Sequence, residues 1–154
     1  MFGFLKTNRA ISDTQKLITD LTKNIVIYDP NIKPSKLFLE DPYVLGFIKA
    51  LSEIAIMFNY KNRPSHVVAG KILSKAIQNT YPKESNVILE KIAEFNMSKN
   101  EIFRSGIKLG IDYGKSLISS MNNSGLTLEE PGEEQARILY IIREYIRENY
   151  VENT

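Results

Sequence analysis

The chain of 154 residues has no cysteine, no tryptophan and one histidine, His66. Without cysteine there is no disulfide framework, no thiolate zinc site and no cysteine nucleophile. Neither sign of charge dominates, since 20 Lys and Arg against 18 Asp and Glu leave +2. That balance excludes a polyelectrolyte that coats nucleic acid. The longest apolar run, residues 42–58, is interrupted by Lys49, Ser52 and Glu53 near its middle, where charge is costly in lipid, so no membrane span is expected. The apolar start MFGFLK is too short for a signal-peptide core and no small-residue cleavage site follows it, which makes a cytoplasmic address the expectation. Also missing are a glycine-rich phosphate loop and a Gly-x-Ser-x-Gly elbow. With one histidine and no thiol, the chain offers little for a general base or a nucleophile, and neither catalytic residues nor a cofactor are expected.

What is present is apolar sequence at helical spacing. The hydrophobic fraction of 43% suits one folded domain over residues 1–154, with residues 1–11 as a flexible lead. Ser12-x-x-Gln15 has the form of a capping box, and Leu17, Leu21, Ile25 and Tyr28 follow on one face, so the first helix is expected over 13–28. After a loop with Pro30, Pro34 and a Leu37-Phe38-Leu39 strap, Asp41-Pro42 reads as an N-cap with proline at the first helical position. The second helix, to Asn59, is apolar almost all round, as the central helix of a bundle would be. Arg63-Pro64-Ser65 opens a third helix that Pro82 closes, and a short fourth helix over 85–95 should bury Val87, Ile88, Ile92 and Phe95. Ser98-x-x-Glu101 reads as the cap of a fifth helix that ends in Asn122-Asn123-Ser124-Gly125, and a sixth begins near Pro131. No segment sustains strand alternation, so the fold class is all-α, a single-domain bundle of about six helices.

Three glycines need a physical reason. Gly106, Gly110 and Gly114 lie at i, i+4 and i+8 in the middle of the apolar arc of the fifth helix. Interior glycines cost roughly 1 kcal/mol each relative to alanine, so about 3 kcal/mol of helix stability is given up there. A groove of this kind lets another backbone come close to the helix axis. Its occupant is the second helix, whose Gly46 and Ala50 offer a matching small edge, or a second copy in a homodimer, or an apolar ligand.

The remaining candidates are surface features. His66 opens the third helix on the side of Ala69, Leu73 and Ile77, where it is a structural or surface histidine, or the polar group of a pocket. Tyr140, Tyr145 and Tyr150 on the last helix combine apolar area with a polar tip and would serve at an interface. Charge is lopsided, with +3 over residues 41–82 and −4 over 126–154. The cations Lys61, Arg63, Lys71 and Lys75 form no recognition helix, and nucleic acid is not the expected partner. The sequence therefore reads as a small helical interaction module that binds a protein partner or itself. The alternatives are an immunity-type, toxin-neutralising or regulatory protein that uses its acidic end, and a helical pocket for an apolar ligand.

Overall fold

A computed structural model describes residues 2–26, 36–120 and 132–150. The expected helix end at Tyr28, the Pro30 to Pro34 loop, the Asn122 to Gly125 turn, the acidic pair Glu129 and Glu130, and Pro131 lie outside them. Among the described residues six α-helices pack as one bundle: α1 (Phe2–Val26), α2 (Pro42–Asn59), α3 (His66–Thr80), α4 (Ser85–Met97), α5 (Glu101–Ser120) and α6 (Glu133–Tyr150). A 3-10 segment, Lys36–Glu40, precedes α2 and buries Phe38 and Leu39 but leaves Leu37 exposed. The all-α bundle is as the periodicity predicts.

The first helix starts three turns earlier than its capping box suggests. Ala10 and Ile11 pack with Ile56, Ala69, Ile72 and Ala76 of α2 and α3, so the chain is already helical ahead of Ser12, back to Phe2. Residues 2–11 are thus part of a helix rather than a flexible lead, and Ser12 is an exposed residue inside it. Tertiary packing has overridden a local start signal.

α2 starts where expected, with Asp41 Oδ1 accepting the Tyr43 and Val44 N–H groups at 2.8 and 3.1 Å and Pro42 at the first position. It packs on α1, α3, α4, α5 and the 3-10 segment, and buries Val44, Leu45, Phe47, Ile48, Leu51 and Ile56. The apolar circumference is used because neighbours stand on almost every side. The opposite case is α4, whose buried residues Ser85, Ile88 and Ile92 form one narrow stripe. Val87 faces away from it and is exposed, contrary to the sequence expectation.

The cap of α5 also differs from expectation. Asn100, not Ser98, caps the helix, its Oδ1 accepting the Phe103 N–H at 2.9 Å. Ser98 belongs to the end of α4, where its hydroxyl donates to the Phe95 carbonyl. There the Asn100 N–H reaches Phe95 O and the Lys99 N–H reaches Asn96 O, the paired bonds of a Schellman turn. Lys99 takes the left-handed conformation that this turn requires, with φ of 54°. A side chain there is strained, so Lys99→Gly should raise stability by about 0.5–1 kcal/mol, measured by urea denaturation.

Candidate interaction surface

The glycine seam is occupied by α2. A Cβ placed on Gly106 would overlap the Tyr43 carbonyl, one on Gly46 would overlap the Phe103 carbonyl, and one on Gly110 would meet Ala50 Cβ with Phe47 O 3.1 Å away. At Gly114 the neighbour is the Ile54 side chain. The partners advance together along both helices, so α2 and α5 run parallel with their backbones in direct contact. Glycine Cα–H groups facing carbonyls across such a crossing add about 0.5–1 kcal/mol each, which offsets much of the propensity cost. Of the three occupants that the sequence allows, the intramolecular helix fills the groove and leaves no room for a ligand.

Two of the three interface tyrosines are also used internally. Tyr145 donates to Asp41 Oδ2 at 2.9 Å and Tyr150 donates to the same oxygen, while the Tyr145 ring lies 4.6 Å from that of Tyr43. Asp41 thus holds both the start of α2 and the last two turns of α6. Desolvation, then the hydrogen bond and charge of Asp41, push Tyr145 up to about 12 and raise Tyr150 as well. Tyr140 is exposed, with the Arg143 guanidinium 5.1 Å from its ring centre. Nothing in the sequence pattern ties position 41 to positions 104 and 109 residues away; the N-cap signal disclosed only half of what Asp41 does.

Sequence reasoning does not single out Gln135. Its Oε1 accepts the Gly132 N–H, the reach-back of a capping box, and its Nε2 donates to the Ser116 carbonyl at 2.8 Å. The start of α6 is thereby tied to the C-terminal half of α5, and the two helices run antiparallel. An open polar cleft lies beside this tie, with Asp112, Lys115 and Glu133 on its walls. The Tyr113 ring is fully buried 5.8 Å from Phe47, and among the described residues its hydroxyl has no hydrogen-bond partner. Burial, with the Asp20 charge second, raises its pKa strongly, so the phenol stays neutral at any physiological pH.

Large apolar side chains are exposed at both ends of the bundle, Leu37, Val87, Met97 and Ile102 where α2 and α5 begin and a larger group where α2 ends. α1 is antiparallel to α2, so its first turns extend past the C-terminus of α2 and the start of α3. Three bonds fix this end: Thr7 Oγ1 to Tyr60 Oη at 2.7 Å, Asn59 Nδ2 to Asp13 Oδ2 at 2.8 Å, and the Arg63 guanidinium on both Glu53 oxygens. Beyond the Thr7 bond, every residue from Gly3 to Lys6 is exposed. Phe4 is 68% exposed, Met57 63% and Val67 82%, and Leu5 and Phe58 are close to half exposed. Large apolar side chains can be exposed singly on any protein, but here five lie on three chain segments that meet at one end.

His66 is the first residue of α3 and belongs to this end. It is exposed and does not reach across the core, because the buried face of α3 is made by Ala69, Ile72, Ala76 and Ile77. Lys6, Arg9, Lys61 and Lys71 are also exposed. His66 thus shares with Lys6 and Arg9 the end where α1 and α3 begin, whereas Gly106, Gly110, Gly114, Tyr145 and Tyr150 are engaged in internal contacts. Among the described residues no helix is long and apolar enough to cross a membrane. Comparison with family profiles, curated proteins and solved structures finds no match to this chain.

Proposed function

We propose that the protein is a helical interaction module that docks a macromolecular partner on the end of the bundle formed by the start of α1, the end of α2 and the start of α3. The observation that carries this reading is the exposure of Phe4, Leu5, Met57, Phe58 and Val67 on one end of a bundle whose glycine seam is filled internally. Apolar area of this kind costs solvation free energy unless something covers it, at roughly 25 cal/mol per Å². The acidic C-terminal stretch is a weaker handle, since Glu134 is paired with Arg137 and Glu144 with Arg147, both at 2.6 Å.

The test is a photo-crosslinking amino acid placed at Phe4 or Val67, with Asn86 at the start of α4 as the control on the opposite end. In the native cells, adducts at the two docking positions and none at Asn86 are the expected result. The same adducts at all three positions, or none at any, would reject the docking end.

A further inference from the structure

The partner class follows from the charge and shape of this end. Residues 2–12 and 54–75 contain six cations, Lys6, Arg9, Lys61, Arg63, Lys71 and Lys75, and not one acidic residue. Of the carboxylates near this end, Glu53 is held by Arg63, Asp13 accepts from Asn59 and Glu134 pairs with Arg137, while Glu133 at the start of α6 is exposed, so the six cations remain in excess. We propose that this end docks on an anionic lipid surface, with Phe4 and Leu5 entering the interfacial layer and Lys6, Arg9 and Lys61 meeting the phosphates. The inference rests on the docking reading above and names its partner.

Three physical arguments favour a bilayer surface over other occupants. The first is shape: the run from Gly3 to Lys6 is exposed throughout, and a Cβ on Gly3 would meet no atom within 4 Å, so the start of α1 stands clear of the bundle. A protruding tip can enter a fluid interface without a complementary cavity, whereas a folded protein partner would have to supply one. The second is length. From Phe2 to Arg9 an α-helix rises about 10 Å, which matches the roughly 5–10 Å depth at which interfacial helices bury their apolar side chains. The third is sign, because a twofold contact with a second copy would set Lys6, Arg9 and Lys61 against their own counterparts.

The order of residues along the tip fits the same picture. Phe4 and Leu5 precede Lys6 and Arg9, so the apolar pair lies further from the body of the bundle than the cations do. Arg9, about one turn behind Leu5, would sit at headgroup level when the tip is inserted, and Lys6, next to Leu5, would reach back to that level along its own stem. Met57, Phe58 and Val67 belong to the ends of α2 and α3, which the start of α1 extends past, and would touch the surface rather than enter it. Each cation near an anionic surface strengthens partition by about fivefold, so the surface cations add to what the two apolar residues provide.

Co-sedimentation of the full chain with vesicles tests this directly. Vesicles of phosphatidylcholine mixed with phosphatidylglycerol should pellet the protein at low salt. Phosphatidylcholine alone, or the mixed vesicles at high salt, should retain about tenfold less or lower, given screening of the surface charges. The pair Lys6→Glu and Arg9→Glu should lower partition by at least about tenfold, as should Phe4→Ser with Leu5→Ser, at unchanged helical circular dichroism. Lys83→Glu with Lys99→Glu, at the opposite end, should leave it unchanged. Failure of the folded protein to pellet with the mixed vesicles, or binding indifferent to the α1 variants, overturns the lipid assignment. If vesicles fail but crosslinks at Phe4 trap a protein, the docking end stands and its partner is not lipid; if both fail, the docking reading goes too. A dimer by light scattering that Lys6→Glu with Arg9→Glu alters would overturn the lipid assignment in favour of self-association.

Discussion

Gly106→Ala should be among the most destabilising single substitutions in the protein, by about 3 kcal/mol or more, although alanine is the better helix former by roughly 1 kcal/mol. The added methyl has nowhere to go, because the atom it meets is the Tyr43 carbonyl oxygen and the Phe47 backbone nitrogen lies 3.1 Å away. A side chain in that position could change rotamer, but a backbone carbonyl in the first turn of α2 cannot. The two helices would have to separate along their whole contact, opening voids among Phe47, Phe103 and Tyr113, which are all fully buried. The sign and size of the effect should follow the neighbour. Gly114→Ala meets the Ile54 side chain and should cost less, whereas Gly70→Ala on α3 meets nothing within 4 Å and should stabilise by about 0.5–1 kcal/mol. Urea denaturation of the three variants reads this order directly. Equal small gains at all three positions would mean that the seam is not the close crossing described, and a change of mass without loss of fold at Gly106 would move the crossing to a dimer interface.

The glycine seam was legible because an interior glycine has a cost that only packing can offset, and three at four-residue spacing fix a face. Gly46 and Ala50 were readable as its counterpart for the same reason. Helix identity was legible wherever a proline or a cap lies next to an apolar period, as at Asp41-Pro42. It failed where two signals compete: Ser12-x-x-Gln15 and Ser98-x-x-Glu101 both match a capping box, yet Ala10 and Ile11 draw α1 back to Phe2, and the left-handed turn at Lys99 gives the cap of α5 to Asn100. The proposed docking end was not legible. Its residues belong to three segments, and an exposed Phe4 or Val67 looks no different in sequence from a buried one. The apolar MFGFLK start was visible, but only the projection of α1 beyond Tyr60 gives it a place to act. The tyrosine contacts were hidden for a related reason, since a hydrogen bond from the last helix to the cap of the second leaves no local pattern.

Asp41→Ala should cost about 3 kcal/mol, more than the roughly 1 kcal/mol typical of losing an N-cap, because one carboxylate serves two ends of the chain. Its Oδ1 caps α2 through the Tyr43 and Val44 N–H groups, and its Oδ2 receives the Tyr145 and Tyr150 hydroxyls from α6. Removing the carboxylate leaves the N-terminus of α2 uncapped and two half-buried phenols without their acceptor. Tyr145→Phe with Tyr150→Phe removes only the second group of bonds and should account for the part of the loss that the cap does not. The pairs share one residue, so a double-mutant cycle with Asp41→Ala should be non-additive. The same contact fixes a pH dependence. Burial and then Asp41 raise Tyr145 to about 12 and raise Tyr150, so both phenols are neutral in the folded protein at pH values where the unfolded chain would ionise them. A group whose folded pKa is raised contributes fully below its unfolded value, near 10 for tyrosine, and loses that contribution as pH climbs towards the folded value. Thermal stability should therefore be flat up to about pH 10 and fall from there towards pH 12, and the paired phenylalanine variant should fall less steeply. Part of the slope will remain, since Tyr113 and Tyr81 are also raised by burial. An Asp41→Ala loss no larger than that of a single cap, with an alkaline profile identical to that of the wild type, would show that α6 does not depend on Asp41 for its last two turns.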